Sequence, residues 1–188
     1  MHEHYNDFGP AAWSDKMQNP SEITGNELVR MDRQTIDAAI EKYSKRIGEV
    51  IGVSKTFVID QRINDIFGAV IENLDPMHND VQWARSSPIG GTIVYGYFQV
   101  CLISMIWKNI GMPIYSTDVA YTLNYGLNKV RFPSYLRVGI PAHGKVKMLG
   151  VERKNKDQSM WRFEVSIEQE GNPKPTMVAE AVFTILFY

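Results

Sequence analysis

The segment from Gly96 to about Ile110 constrains the fold more than any other part of the sequence, because it is apolar on nearly every side when drawn as a helix. A helix without a polar face must be covered by other elements on all sides. The sequence therefore predicts a central, buried helix, and Cys101 within it is predicted to be a core residue rather than a nucleophile. The apolar members of the segment are Tyr97, Phe98, Val100, Cys101, Leu102, Ile103, Met105, Ile106 and Trp107.

The same apolar stretch is too short to cross a membrane. From Val94 to Trp107 it is interrupted by Gly96, Gln99 and Ser104, and it falls short of the roughly 20 residues that a span needs. The N-terminal residues do not combine a basic region with an apolar stretch, as a secretory signal does. We therefore expect a cytoplasmic protein that does not bind membranes.

The composition is that of one globular domain. The 188 residues are 44% hydrophobic and 22% charged, which allows a sizeable core. The net charge is −1, so we expect no broad basic surface for nucleic acid. The single cysteine excludes an intrachain disulfide, and no cluster of His, Asp or Glu has the spacing of metal ligands. We expect neither a metal nor another cofactor.

The N-terminal part predicts an arm followed by a long helix. Residues 1–23 are polar and show no periodicity, which indicates a flexible arm. Thr24 begins a capping-box pattern, after which apolar residues recur every three or four positions. Residues 24–52 are therefore predicted to form one helix, ended by Gly52. This helix belongs to a single predicted domain that covers residues 24–188.

Shorter elements are predicted after the helix. Thr56-Phe57-Val58-Ile59 is a strand candidate, and Asp60 is placed to cap a helix that follows it. The last third of the chain alternates apolar and polar residues, which is typical of strands. Long antiparallel strands beside one apolar helix predict an α+β fold in which a curved sheet wraps around the helix. The predicted strands cover residues 119–127, 142–153, 161–167 and 177–187, with a hairpin at Gly171-Asn172-Pro173.

Two motifs connect this architecture with a known family. Residues 87–96, SPIGGTIVYG, resemble the S-P-F-G-G-T-I-A-H-G segment that leads into the central helix of MaoC-like proteins. Residues 124–133, NYGLNKVRFP, are similar to the N-Y-G-x-N-x-V-R-F-P stretch of the same family. Over about residues 45–188 the chain thus resembles the MaoC-like (R)-specific enoyl-CoA hydratase/dehydratase family, and the spacing from Phe67 to His78 matches its nodulation protein N-like branch. The resemblance implies a hot-dog fold.

The resemblance also implies an active site near the start of the apolar helix. The family pairs an aspartate with a histidine five residues later, in a pattern like G-D-x-N-P-[IL]-H, and together they add water to a double bond or remove it. Carried over by position, His78 would be the acid and base, and the backbone N–H at Gly96 would hold the thioester oxygen. Ser104, eight residues after that glycine, would support the pair.

Four positions depart from the family pattern. The aspartate falls on Asn73, the glycine before it on Glu72, the asparagine on Asp75, and the histidine before the helix glycine on Tyr95. A carboxylate can accept a proton from water, whereas the amide of Asn73 cannot. Either Asn73 or Asp75 would therefore position the water, unless Asp75 only caps the turn that follows it.

Residues within the two motifs are candidates for substrate binding. Arg131 is expected either to contact a phosphate of the thioester carrier or to tie its strand to the neighbouring loop. The candidates are Tyr95, Gly91, Thr92 and Arg131.

Three functions fit this pattern. The first is reversible hydration of a trans-2-enoyl thioester, carried by coenzyme A or by an acyl carrier protein. The second is a repurposed enzyme, in which His78 works alone in the isomerisation, cyclisation or elimination of a specialised metabolite. The third is a non-catalytic, thioester-binding subunit of a heteromer. For a chain that acts without a different partner we expect a homodimer or a higher homo-oligomer, because hot-dog proteins commonly associate through sheet edges.

Overall fold

The fold is built on a five-stranded antiparallel sheet with a long helix against one face. The computed structural model describes residues 33–110 and 119–187. The helices are α1 (Arg33–Ser44), α2 (Gln61–Val70), α3 (Pro76–Asn79), α4 (Val81–Ser86) and α5 (Gly96–Ile110), and the strands are β1 (Val50–Val53), β2 (Val119–Arg131), β3 (Ala142–Arg153), β4 (Gln158–Gln169) and β5 (Met177–Phe187). The strands lie in the sheet in the order β1-β3-β4-β5-β2.

The alternating pattern of the last third determines which face of the sheet is buried. In β4, Trp161, Phe163, Val165 and Ile167 are all at most 1% exposed, whereas the intervening side chains are less buried. Because successive residues of a strand point to opposite faces, this pattern turns one apolar face of the sheet towards α5. The predicted α+β fold, a curved antiparallel sheet with an apolar helix against it, is confirmed.

Helix α5 packs closely against the sheet at one tryptophan of the helix and at one glycine of the sheet. The indole of Trp107 meets the rings of Phe163 and Phe183 edge-on, with ring centroids 4.5 and 5.0 Å apart. A Cβ at Gly144 of β3 would lie 2.4 Å from Cδ1 of Ile106, so only glycine permits this approach. Truncating a buried tryptophan to alanine typically costs about 3–5 kcal/mol of stability, and Trp107 is 1% exposed.

One face of α5 is open, which corrects the prediction of a helix covered on every side. Tyr97 is 78% exposed, and Cys101, Ser104 and Lys108 are also exposed. These residues recur every three or four positions and therefore form one stripe that points away from the sheet. The prediction that Cys101 is a buried core residue is wrong for the single chain, because a uniformly apolar helix can bury only part of its circumference against one sheet.

The N-terminal elements are shorter than the sequence pattern predicts. The helix predicted over residues 24–52 ends at Ser44, and Gly48 then adopts a φ of 92° in the turn before β1. Its predicted start at Thr24 lies outside the described residues, as does the predicted arm. The strand predicted at residues 56–59 is reduced to one isolated bridge between Phe57 and Ala142.

The predicted cap of α2 is confirmed. Asp60 has an extended backbone, and its Oδ1 accepts a hydrogen bond of 2.8 Å from the backbone N–H of Ile63. This is the usual geometry of an aspartate at a helix N-terminus. In the described part of the chain, no helix combines the length and the apolar character needed to cross a membrane.

Candidate active site at the start of the long helix

His78 lies on a short helix whose start is set by Asp75 and Pro76. The backbone of Asp75 is extended, as expected before proline, and its Oδ1 accepts a 3.1 Å hydrogen bond from the N–H of Met77. Asp75 is therefore the N-terminal cap of α3, which is one of the two roles predicted for it. The second role, a carboxylate that positions water, stays a prediction.

The imidazole of His78 is held by a backbone carbonyl. Its Nδ1 lies 2.8 Å from the carbonyl oxygen of Ile93, two residues before Tyr95 and three before Gly96. A carbonyl oxygen only accepts hydrogen bonds, so Nδ1 carries the hydrogen in the neutral ring and Nε2 carries the lone pair. The geometry thus assigns a tautomer in which Nε2 is free to take a proton.

Two polar side chains of α2 fix the backbone of His78. The Nδ2 of Asn64 donates to the carbonyl oxygens of His78 and Ile93 at 3.0 and 3.2 Å, and Asn64 is completely buried. The Nε2 of Gln61 donates to the His78 carbonyl at 2.7 Å. Sequence reasoning missed both residues, because a single Asn or Gln on an amphipathic helix carries no local signal of its distant partners.

Tyr95 lies directly against the imidazole. The two rings are stacked with their centroids 3.8 Å apart and their planes at 26°. Tyr95 is 3% exposed, and its hydroxyl shares its one hydrogen between two acceptors, the backbone carbonyl of Asn73 and the side-chain oxygen of Asn79. The hydroxyl of this predicted substrate-binding residue is therefore bonded within the protein.

The surroundings of Tyr95 raise the pKa of its hydroxyl. Burial is the largest cause; the hydrogen bond with Asn79 acts in the opposite direction, and the negative charges of Asp65 and Asp75 raise the pKa further. The hydroxyl therefore stays protonated at neutral pH and acts as a hydrogen-bond donor. Two carboxylates thus lie near enough to Tyr95 to act on its hydroxyl electrostatically.

Asn73, onto which the resemblance carries the family's aspartate, is exposed. The Oδ1 of Asn73 accepts a 3.3 Å hydrogen bond from the N–H of Asp75. The two hydrogens on Nδ2 of Asn73 take no part in this bond. The residue before it, Glu72, has a φ of 54°, in the left-handed region that favours glycine. This conformation explains physically why a glycine would be suited to that position.

Of the two residues of α5 that were predicted to act with His78, Gly96 lies at the helix start and Ser104 lies on the open face of the helix. Among the described residues, no hydrogen bond is found for the backbone N–H of Gly96. A Cβ on Gly96 would lie 3.1 Å from the ring of Phe132, so this ring closely approaches the helix start. Ser104 is exposed on the open face, and within the described chain no hydrogen bond joins it to His78.

The other predicted substrate-binding residues make contacts within the protein. The hydroxyl of Thr92, which is 9% exposed, donates to Oε1 of Gln61 at 2.7 Å. The carbonyl of Gly91 accepts a 3.3 Å hydrogen bond from Arg137, a residue that the sequence did not single out. Arg131 is exposed and donates to the carbonyl of its neighbour Val130.

A cleft of about 660 Å³ begins at Phe132, beside the start of α5. Its wall carries two cations, Arg137 and Lys174, and one carboxylate, Glu170. In residues 33–110 and 119–187 no group of three or more His, Cys, Asp or Glu is placed to hold a metal ion. The remaining lining residues are Pro133, Ser134, Tyr135, Ile140, Gln169, Gly171 and Asn172.

Comparison with known proteins gives two sets of relatives, although no family model matches the chain. The 3-hydroxyacyl-thioester dehydratase Z of Mycobacterium tuberculosis is 30% identical over 136 residues, which are 72% of this chain and 87% of that protein. Nodulation protein N of Rhizobium meliloti is 28% identical over 144 residues, covering 76% of this chain and 88% of that protein. The crystal structure of a MaoC-like dehydratase from Rhodospirillum rubrum superposes with a TM-score of 0.57 at 16% identity, covering 76% of this chain and 93% of that one.

Proposed function

Because this chain belongs to the MaoC-like hot-dog family, we propose that it is a hydro-lyase that acts on acyl thioesters. It would add water to a trans-2-enoyl thioester, or remove water from the (R)-3-hydroxyacyl form, carried by coenzyme A or by an acyl carrier protein. The observation that carries this proposal is the orientation of the His78 ring. The carbonyl of Ile93, three residues before the start of α5, holds Nδ1, and no other described residue bonds to Nε2.

In the hydration direction, one residue can both accept the proton of the water and return it to the substrate. Nε2 of His78 takes a proton from water while the water oxygen bonds to C3 of the enoyl group. The C2–C3 double bond becomes an enolate, whose oxygen is the former thioester carbonyl. The backbone N–H of Gly96 would donate to that oxygen, where the start of a helix favours negative charge. His78 then returns the proton to C2, and dehydration follows the same steps in reverse.

Asn73 would position the water rather than deprotonate it. Its amide cannot accept a proton, but its Nδ2 can donate to the oxygen of a water molecule. Asp75 is used as the cap of α3, so its replacement is expected to affect the stability of that turn more than the chemical step. The predicted substrate contacts of Gly91, Thr92 and Arg131 remain proposals of the same kind, whereas the hydroxyl of Tyr95 is bonded within the protein.

The experiment is turnover by the purified full chain with enoyl thioesters of several acyl lengths, on coenzyme A and on carrier protein. His78→Ala is expected to lower kcat by about 10²–10⁴-fold, the usual contribution of a general acid–base group. His143→Ala is the matched control, since His143 lies on β3 and pairs with Glu168 at 3.5 Å. Absence of turnover with every thioester and carrier would overturn the proposal.

A second candidate is a repurposed enzyme that uses one base for isomerisation, cyclisation or elimination of a different metabolite. The observation that favours it is the amide at position 73, together with the use of Asp75 as a cap. Loss of activity in His78→Ala but not in Asp75→Ala is expected for any one-base reaction. The identity of the substrate that is turned over then separates this candidate from the hydratase. Stable co-purification of an inactive chain with a different hot-dog protein would instead favour a non-catalytic subunit.

The protein would act as a homodimer or a higher homo-oligomer. The stripe of α5 that contains Tyr97 and Cys101 is exposed, and β2 lies next to β5 at the end of the described strand order. Exposed large apolar side chains that form a continuous patch are a surface that proteins normally cover. The exposed large apolar side chains of β2 are Tyr121, Leu123, Tyr125 and Leu127.

A further inference from the structure

One tyrosine contacts both positions of the catalytic pair implied by the family. The ring of Tyr95 stacks on His78, and its hydroxyl bonds to the backbone carbonyl of Asn73. A tyrosine side chain is rigid beyond its two rotatable bonds, so the two contacts are not independent of each other. Movement of the ring would therefore change the environment of both positions at once.

The hydroxyl of Tyr95 is also anchored to α2. The side-chain oxygen of Asn79 bonds to the hydroxyl, and the Nδ2 of Asn79 donates to Oδ1 of Asp65 at 2.7 Å. Gln61 donates to the same carboxylate oxygen at 2.7 Å. Because a carboxylate accepts but does not donate, Asp65 fixes which end of the Asn79 amide faces Tyr95. The loop that carries positions 73 and 78 is thus tied to a regular helix.

Gly68 makes room for this arrangement. A Cβ at Gly68 would lie 2.3 Å from the hydroxyl oxygen of Tyr95 and 3.0 Å from the carbonyl oxygen of Asn73. Glycine inside a helix lowers its stability relative to alanine, so its presence in the last turn of α2 calls for a local cause. The tyrosine ring also contacts Phe67 of the same helix, with centroids 5.5 Å apart.

We infer that Tyr95 is a positioning residue, which holds the imidazole of His78 and the backbone of Asn73 in one fixed arrangement, with Gly68 admitting its hydroxyl. Tyr95 does not touch the substrate in this scheme and acts through its two neighbours. The kinetic part of the inference rests on the proposed function, whereas its structural part can be measured without turnover.

The test is Tyr95→Phe, which keeps an aromatic ring and removes the hydroxyl. The ring loses its anchor, so we expect kcat to fall about 10-fold or more with KM within about threefold, because misplacement of about 1 Å can cost about a hundredfold. The NMR signals of the His78 ring protons, which a stacked ring displaces, are expected to shift. Tyr43→Phe is the control: Tyr43 lies on α1 and its ring packs edge-on against Trp161, so its replacement should leave both measurements unchanged.

The outcomes separate this inference from the proposed function. Unchanged kcat and unchanged His78 signals in Tyr95→Phe would overturn the inference, even if the chain hydrates thioesters. If the wild-type chain turns over no thioester but the His78 signals shift in Tyr95→Phe, the proposed function fails and the positioning role stands.

A second variant tests the part played by Gly68. Gly68→Ala is expected to lower the melting temperature, because the new methyl group collides with the hydroxyl and with the carbonyl of Asn73. In the Tyr95→Phe background the collision with the hydroxyl is gone, so the double variant should be less destabilised than the sum of the two single variants. Strict additivity would overturn the assignment of Gly68 to the tyrosine hydroxyl.

Discussion

The carbonyl oxygen of Ile93 lies 2.8 Å from Nδ1 of His78 and 3.2 Å from Nδ2 of Asn64. One backbone carbonyl thus receives both the imidazole and the buried amide that also binds the His78 carbonyl. In this chain the direction of the imidazole is therefore fixed by the backbone that leads into α5, with no carboxylate bonded to the ring among the described residues. The proposed base therefore has a fixed position relative to the helix start, and proton transfer beside a developing enolate requires such positioning.

Asn64→Asp is expected to destabilise the protein although the two side chains have nearly the same shape. The carboxylate would face two carbonyl oxygens that now receive N–H groups at 3.0 and 3.2 Å. Loss of buried hydrogen bonds together with a buried charge is expected to cost about 3 kcal/mol or more. Urea unfolding measures this change, with the exposed Asn155→Asp as the control. Equal stability of the two variants would show that the amide does not hold the site.

The parts of the fold that are local in sequence could be predicted, and the parts that depend on distant contacts could not. The alternation over residues 161–167 and the cap at Asp60 follow from neighbouring residues, and the structure has both. Asn64 bonds to His78 across 14 positions, and no local pattern marks such a partner. The exposure of Cys101 was missed because an apolar pattern does not distinguish a helix face covered by the sheet from a face left exposed.

Asn73→Asp is expected to raise hydratase activity. The new carboxylate would restore a second group able to accept a proton, at the position that the family fills with aspartate. Addition of a well-placed base is typically worth about 10²-fold in rate, so a gain of about 10-fold or more in kcat is expected with enoyl-CoA. Asn155→Asp again controls for the added charge. A variant no faster than the wild-type chain would show that the site has been rebuilt for another reaction.

Glu72→Gly is expected to stabilise the protein by up to about 1 kcal/mol. Glu72 is the one described non-glycine residue with a positive φ, and this conformation costs a residue with a Cβ about 1–2 kcal/mol. Part of that gain is offset, because glycine has more conformational freedom to lose on folding. Thermal unfolding measures the change. Glu170→Gly, at an exposed residue without a positive φ, should instead be neutral or destabilising.

The raised pKa of Tyr95 leads us to expect a loss of folding stability at high pH. Burial, opposed by the Asn79 hydrogen bond and reinforced by Asp65 and Asp75, raises the pKa of Tyr95 above its ordinary value of 10.0. The folded chain therefore keeps this proton at pH values where the unfolded chain has lost it. The resulting stability is fully present below about pH 10 and is lost as the pH rises through the folded pKa.

The comparison that isolates this effect is wild type against Tyr95→Phe in urea titrations from pH 8 to about pH 11. The variant lacks the titrating hydroxyl, so its stability should fall less steeply above about pH 10. Identical slopes for the wild type and Tyr95→Phe would contradict the raised pKa.

Cys101→Arg is expected to convert the proposed homodimer into monomers. Cys101 lies in the middle of the open stripe of α5, between Tyr97 and Ser104, so a second copy seated there would bury its side chain. A buried and unpaired arginine on each side of the interface would cost several kcal/mol, which weakens association by several orders of magnitude. Val70→Arg places the same charge at a 75% exposed apolar residue of α2, away from the stripe, and should leave the mass unchanged. Light scattering after gel filtration distinguishes the two results, and a Cys101→Arg protein that keeps the wild-type mass would place the interface elsewhere.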